Sequence, residues 1–371
     1  MNLATLLNQS SFVFFFLVVD KFLDIEIPEL TNFKKIYLSD YPSIKLKNSG
    51  ALLSNPKVIQ YIEDNSKSKT PVIVPFKPSA KIDFLCQKYN WLKASNDGQI
   101  NRFLEDKIKF ALLCKKYNLP TIPQTVDKFN QKNFSKYQKM YGQSLVVQTH
   151  FGWAGNSTYS SSSWEEISNK ISPDVIVKYS PLIKSSYSLL NNCCLTQFGL
   201  FQSPPALQYT GLKELTSNPF TTVGRQWPSF APAEIINQVK QITNDFSKVL
   251  EEINYRGFFG LDFLIKNNQV FLLECNPRLT ASFAFYTKLE LDQEITPLFY
   301  FHLAEFIKLD YSIDIKSEQN RFNLNIVGSE ITAKNKNQQT IKKLNFLKPI
   351  FENTNLTNPS LDLYKLPNEK V

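Results

Sequence analysis

The residues best suited to chemistry lie in two apolar segments. They read Phe259-Gly-Leu-Asp-Phe-Leu-Ile265 and Val270-Phe-Leu-Leu-Glu-Cys-Asn-Pro-Arg278, joined by Lys266-Asn-Asn-Gln269. The pattern is that of a β-hairpin turning at Asn267 and Asn268. Alternate strand residues share a face, so Glu274 and Asn276 point the same way and Arg278 follows them. The turn places Asp262 almost opposite Glu274, where Cβ atoms lie about 5 Å apart. Two carboxylates that close repel and raise each other's pKa. A hard divalent cation resolves the conflict, and a donor set of Asp262, Glu274 and the Asn276 amide oxygen suits Mg²⁺ or Mn²⁺. Mg²⁺ keeps phosphate oxygens in its shell, which points to ATP. The plainer alternative is a surface hairpin with solvated acids. Polar residues at four successive same-face positions of an apolar ribbon argue against it.

The elements that must position these residues are legible in outline. Apolar runs at 12–19, 35–38 and 72–76 read as buried strands of a small α/β unit over residues 1–100. A helix is expected from about Arg102 to Tyr117, with Leu104, Ile108, Ala111 and Leu112 buried and the Asp106-Lys107 pair off that stripe. Ser144–His150 alternates as a strand, and the glycine-bearing loop Gly152-Trp-Ala-Gly-Asn-Ser-Thr158 follows it. A strand is expected at 174–179 and others at 193–200 and 205–210. The helix 233–253 is the clearest element, because Ile235, Val239, Ile242, Phe246, Val249 and Ile253 fall on one face. A further helix begins after Pro297, and strand-like stretches occupy 322–332 and 339–350.

Composition narrows the function classes. The 371 residues carry a net charge of +9, yet only five of the 42 basic residues are arginine, so the surface reads as solvated lysine and no nucleic-acid partner is expected. Five cysteines without a CxxC pair fit a reducing cytoplasm. Two histidines rule out a His-rich zinc site, and no GxSxG marks a serine nucleophile. The run Phe12–Val19 is too short to span a bilayer, so no membrane partner is expected.

Asp262 on one strand and Glu274-x-Asn276-x-Arg278 on the next resemble the ATP-grasp superfamily of carboxylate–amine ligases. The resemblance covers roughly residues 100–310 and has the right order of elements, starting at Glu-Asp-Lys107. It implies an α/β ATP-grasp fold over 101–310, with a lid subdomain at about 120–177. A small α/β pre-ATP-grasp domain at 1–100 precedes it, and a strand-rich extension at 311–371 follows. It implies that Lys107 contacts phosphates and that Lys107 and Arg278 stabilise the transferring charge. The loop bearing Gly152, Gly155, Asn156, Ser157 and Thr158 becomes a lid over the nucleotide, with glycines letting backbone N–H groups approach phosphate oxygens. The adenine is expected near Val175-Ile-Val-Lys-Tyr179, which adds Lys178 and Tyr179 to the nucleotide-binding residues.

Two positions depart from the family pattern. Gln148 stands where many members carry a second phosphate-directed lysine, and Lys178 stands where an acid is common. Some peptide-ligase-like members share a glutamine at the first position. His150 shares the face of Gln148. Arg225 is a candidate carboxylate clamp or a salt-bridge partner. Thr280 and Ser282 are candidates to cap the next helix or to hold an acidic substrate. The activity implied is ADP-forming amide or peptide ligation of a small-molecule carboxylate and an amine through an acyl phosphate. A homodimer is the assembly the analogy suggests. Carboxylation, phosphorylation and non-catalytic ATP binding are the alternatives.

Overall fold

The computed structural model describes residues 2–152, 157–184, 186–213 and 215–332. Three sheets organise them. The first is parallel, in the order Phe33–Tyr37, Phe12–Val18, Thr70–Pro75, Leu92–Lys93. Its central strand is an uninterrupted apolar run because both faces are covered. Phe14, Phe16 and Val18 pack towards the helices Phe283–Asp292 and Leu298–Phe306. Val13, Phe15 and Leu17 pack towards Ser49–Leu53, Pro56–Ser66 and Ala80–Tyr89.

The second sheet has seven strands. Its order is Gln269–Asn276, Gly257–Lys266, Tyr187–Thr196, Ala206–Thr210, Thr222–Trp227, Gly328–Ile331, with Gly199–Gln202 also paired to Tyr187–Thr196. The stretch 181–231 is therefore more regular than its sequence suggests. The tail strand Gly328–Ile331 belongs to this sheet, while the expected strand at 339–350 lies outside the described residues. The helix Ala233–Glu252 lays Ile235, Val239, Ile242, Phe246 and Val249 on one face of the sheet, as its spacing requires. The third sheet is antiparallel, in the order Thr125–Lys128, Ile176–Pro181, Leu145–Gln148, Thr158–Ser161. It closes over its own core of Phe129, Phe134, Tyr137, Val147 and Tyr179. Among the described residues no helix is long and apolar enough to cross a membrane.

The expected helix 102–117 is two helices, Gly98–Glu105 and Lys107–Lys116. Asp106 breaks it. Its backbone is extended, and its Oδ1 accepts from the N–H groups of Ile108 and Lys109, which makes it the N-cap of the second helix. Leu104, Ile108 and Ala111 are buried as expected, the second helix also buries Phe110, Leu113 and Cys114, and Leu112 alone of the expected stripe turns outward, 53% exposed. Asp106 itself is buried.

Candidate functional site

The hairpin forms with Asp262 paired to Glu274 and Gly260 paired to Asn276. The pairing contains a bulge, because Phe263 pairs with Leu272 and Leu273 is left over. A regular two-residue hairpin would set Asp262 against Leu273, with Glu274 on the opposite face. The extra residue shifts the phase, so Asp262, Glu274 and Asn276 share one face. Cys275 points the other way into the core, as do Leu272 and Val270.

The acids are held by neighbours on the same sheet face. Asp262 Oδ1 accepts from Gln208 Nε2 at 2.8 Å, and its Oδ2 accepts from Asn276 Nδ2 at 2.8 Å. Burial, and then the facing charge of Glu274, push the Asp262 carboxyl up to about 7. Burial acts upward on Glu274 too, but Lys107, a hydrogen bond with Asp262 and Arg278 outweigh it and hold this carboxyl below its usual range. The Glu274 side chain is 43% exposed, so it faces a crevice open to water. As it stands the facing pair resists double ionisation, and its all-oxygen donor set fits a hard divalent cation.

Cations approach from two other elements. Lys107, at the first turn of its helix, has Nζ 3.5 Å from Glu274 Oε2 and donates to the Gly152 carbonyl at 2.9 Å. The Lys107 N–H donates to the His150 carbonyl at 2.9 Å. His150 Nδ1 lies 2.9 Å from both oxygens of Asp106, so this histidine braces the cap of the Lys107 helix. Arg278 donates from Nε to Glu105 Oε1 at 2.8 Å and from Nη2 to Asn276 Oδ1 at 3.1 Å. Glu105 also pairs with Lys77, and the Arg278 guanidinium lies 5.0 Å from the Phe76 ring centroid. Burial raises the Glu105 carboxyl, but Arg278 and Lys77 reverse the direction and keep it ionised. The loop after strand Thr70–Pro75 thus helps to aim Arg278.

The strands of the third sheet bring up the remaining candidates. Gln148 lies directly opposite Lys178 in the antiparallel pair, so the two share a face. Gln148 Nε2 donates to Thr158 Oγ1 at 2.8 Å. Thr149 N–H donates to the Ser157 carbonyl and closes the base of the glycine loop. A Cβ at Gly152 would meet Ser157 Oγ at 2.1 Å and Ser157 N at 2.9 Å, so the chain turns here only with glycine. Trp153, Gly155 and Asn156 lie outside the described residues. Tyr179 is not brought to the cluster. Its ring packs at a tilt against Tyr137 in the core on the other side of the sheet, and its hydroxyl donates to the Lys128 carbonyl.

Residues 104–282 match the family model of the ATP-grasp domain. This chain contains an ATP-grasp domain. Solved structures of similar fold include the N5-carboxyaminoimidazole synthetase of Staphylococcus aureus complexed with ADP. It has a TM-score of 0.55 and 13% identity over 84% of this chain and 74% of that one. The carboxyaminoimidazole ribonucleotide synthase of Aspergillus clavatus complexed with ATP has a TM-score of 0.56 and 12% identity, over 83% of this chain and 79% of that one. A biotin carboxylase–β,γ-ATP complex from Campylobacter jejuni has a TM-score of 0.58 and 13% identity, over 80% of this chain and 64% of that one. At these identities the likeness is one of fold.

Within the ATP-grasp domain Thr280 and Ser282 take other parts than those expected, and Arg225 takes the salt-bridge alternative. Thr280 and Ser282 are buried and hydrogen-bond Asn192, with no cap bond from Ser282 to the helix it precedes. Arg225 pairs with Glu330 at 2.9 Å across the strands Thr222–Trp227 and Gly328–Ile331. Gln208, opposite Arg225, is the residue that sequence reasoning missed. Nothing in its local sequence announces it, because only the strand order places it beside Asp262.

Proposed function

We propose that this protein is an ADP-forming, ATP-dependent ligase that activates a small-molecule carboxylate and joins it to an amine. The observation that carries the reading is the meeting of Asp262, Glu274, Asn276, Arg278 and Lys107 at one crevice. Asp262, Glu274 and the Asn276 amide oxygen would hold Mg²⁺ or Mn²⁺, which when bound neutralises β- and γ-phosphate oxygens. The loop around Gly152, Ser157 and Thr158 would close over the nucleotide and keep water from the intermediate.

A carboxylate oxygen of the substrate attacks the γ-phosphorus. The bond from that phosphorus to the bridging oxygen breaks, and ADP leaves with the electron pair. Lys107 and Arg278 face the oxygens on which charge grows. The amine then attacks the acyl carbon, the carbon–oxygen bond to phosphate breaks, and the nitrogen releases its proton. No protein nucleophile is required. The second reading is ATP-dependent carboxylation, with bicarbonate in place of the organic acid. The fold likeness to enzymes named for carboxylation favours it. Free, buried cysteines among the described residues support a reducing, cytoplasmic setting.

The test is ADP release with Mg²⁺, ATP, hydroxylamine and pools of amino acids and small carboxylates. Hydroxamate formed in step with ADP supports ligation and identifies the acid. Bicarbonate-dependent ADP release without hydroxamate selects carboxylation. ATP binding without ADP release under every pool refutes both.

A further inference from the structure

Two lysines face the charge cluster of this crevice, and one of them has an ion-pair partner there. Lys107 already lies against Glu274, and Lys178 reaches the same region from the third sheet, where Lys107 repels it and Glu274 attracts it. Lys178 is 5% exposed, the only buried lysine among the described residues. Among the described residues its ammonium donates no hydrogen bond and joins no ion pair. A buried cation is costly unless paired, and one shared carboxylate cannot neutralise two of them. Asp262, the other acid of the cluster, is occupied by Gln208 and Asn276. The arrangement asks for an anion that brings several charges at once.

We propose that Lys178 and Lys107 together clamp the phosphoryl oxygens of the nucleotide, so that the phosphate-directed charge of the lid sheet sits at Lys178 and not at position 148. The proposal rests on the reading of this crevice as an ATP site. It assigns Lys178 to the phosphates, where its place in the strand 176–181 alone suggested the base. The strand pairing makes the exchange feasible. Gln148 and Lys178 are direct cross-strand neighbours on one face, so a charge moved from one to the other stays within about 5 Å. Gln148 is left to hold Thr158 and with it the end of the glycine loop.

The test uses the full chain and equilibrium binding of MgATP, inorganic tripolyphosphate and adenosine. Lys178→Gln is expected to weaken MgATP and tripolyphosphate by about 10- to 100-fold, the span of one charge-assisted hydrogen bond, and to leave adenosine unchanged. The exchange variant Gln148→Lys/Lys178→Gln is expected to recover most of the loss. Unchanged MgATP affinity in Lys178→Gln overturns the proposal, as does equal weakening of adenosine. Lys178→Arg, which keeps the charge, checks that any loss is not one of folding: it should bind MgATP better than Lys178→Gln, and equal loss in both refutes the charge role. A wild-type protein that binds no MgATP overturns the ATP reading itself, which separates the two failures.

Discussion

Replacing Lys178 with methionine should make the ligand-free protein more stable while weakening its hold on nucleotide. Burial first, and then repulsion by Lys107, lower the Lys178 pKa from 10.5 to about 8, against a partial pull upward from Glu274. The gap, at about 1.4 kcal/mol per pH unit, is a penalty of about 3 kcal/mol for keeping this ammonium charged in the fold. The sign follows from proton binding. Between about pH 8 and 10.5 the unfolded chain holds the proton more tightly than the native one, so wild-type stability rises through that window. Below it the full penalty applies, and above it the penalty is gone. Methionine fills most of the space of the lysine stem, so no large cavity offsets the gain. At pH 7 the variant is expected to gain about 2–3 kcal/mol, or about 3 °C in melting temperature for a chain of this length. At pH above about 10.5 the two proteins should melt together. Thermal melts of both proteins from pH 7 to 11 make the measurement. A variant that melts lower at pH 7, or a difference that does not shrink with pH, would refute the reasoning that Lys178 is held charged against its surroundings.

Other residues give sharper losses. Asp262→Asn should remove Mg²⁺-dependent ADP release and the Mg²⁺–ATP thermal shift together. In the wild type that release should climb as pH rises through about 7, because Asp262 must lose its proton to bind a cation. Lys107→Ala is expected to lower kcat/KM for ATP by about 10²–10³-fold, measured as initial ADP release, with its circular dichroism spectrum unchanged. Gly152→Ala puts a methyl against the side chain and backbone nitrogen of Ser157, so the base of the loop must shift, and it should raise KM for ATP in initial ADP release. Arg321→Met leaves Glu290, which is fully buried and pushed up to about 8, without its 2.7 Å partner. Urea unfolding at pH 8 should register a clear loss of stability, only part of it recovered by adding Glu290→Gln, because Arg321 also holds Glu318 and the Thr296 carbonyl.

How far the site could be read from sequence depended on range. The hairpin was legible because its signals are local: two apolar runs, an Asn-Asn turn, and acids at alternating places. Its register was not. Counting outward from Asn267 and Asn268 sets Asp262 against Leu273, and only the bulge at Leu273 restores the acid pair to one face. Nothing in Leu272-Leu273 marks that bulge. The helix over 102–117 failed for a similar reason. Apolar spacing runs through Asp106, yet a buried aspartate capping two N–H groups ends one helix and starts another. Its partner His150 lies 44 residues away, beyond any local pattern. The fold class was legible because the order of helix, glycine loop and metal-type hairpin is a long-range signature in itself. The strands at 187–196 and 222–227 were harder, since Ser188, Asn191 and Asn192 interrupt the apolar pattern of the first and Gly224, Arg225 and Gln226 that of the second. Gln208 and Glu330 become visible only when the strands Ala206–Thr210 and Gly328–Ile331 take their places in the sheet that carries Asp262 and Arg225.

The two departures from the family pattern and the metal-type hairpin have one physical account. The crevice sets Asp262 against Glu274 and Lys107 near Lys178, two pairs of like charge side by side. Each pair is unfavourable alone, and Glu274 beside Lys107 relieves only part of it. A divalent cation satisfies the acids, a polyphosphate satisfies the lysines, and the two ligands attract each other. A site arranged this way binds the metal–nucleotide complex more strongly than the sum of its parts. Either ligand alone leaves one like-charged pair uncompensated. The expected signature is strong positive coupling between Mg²⁺ and ATP in binding, and by linkage the same factor must appear whichever is titrated second. Lys178→Gln should reduce that factor, since it removes one member of the positive pair. A coupling factor near one in the wild type would mean that the acids and the lysines serve different ligands, and the shared-crevice reading would fall.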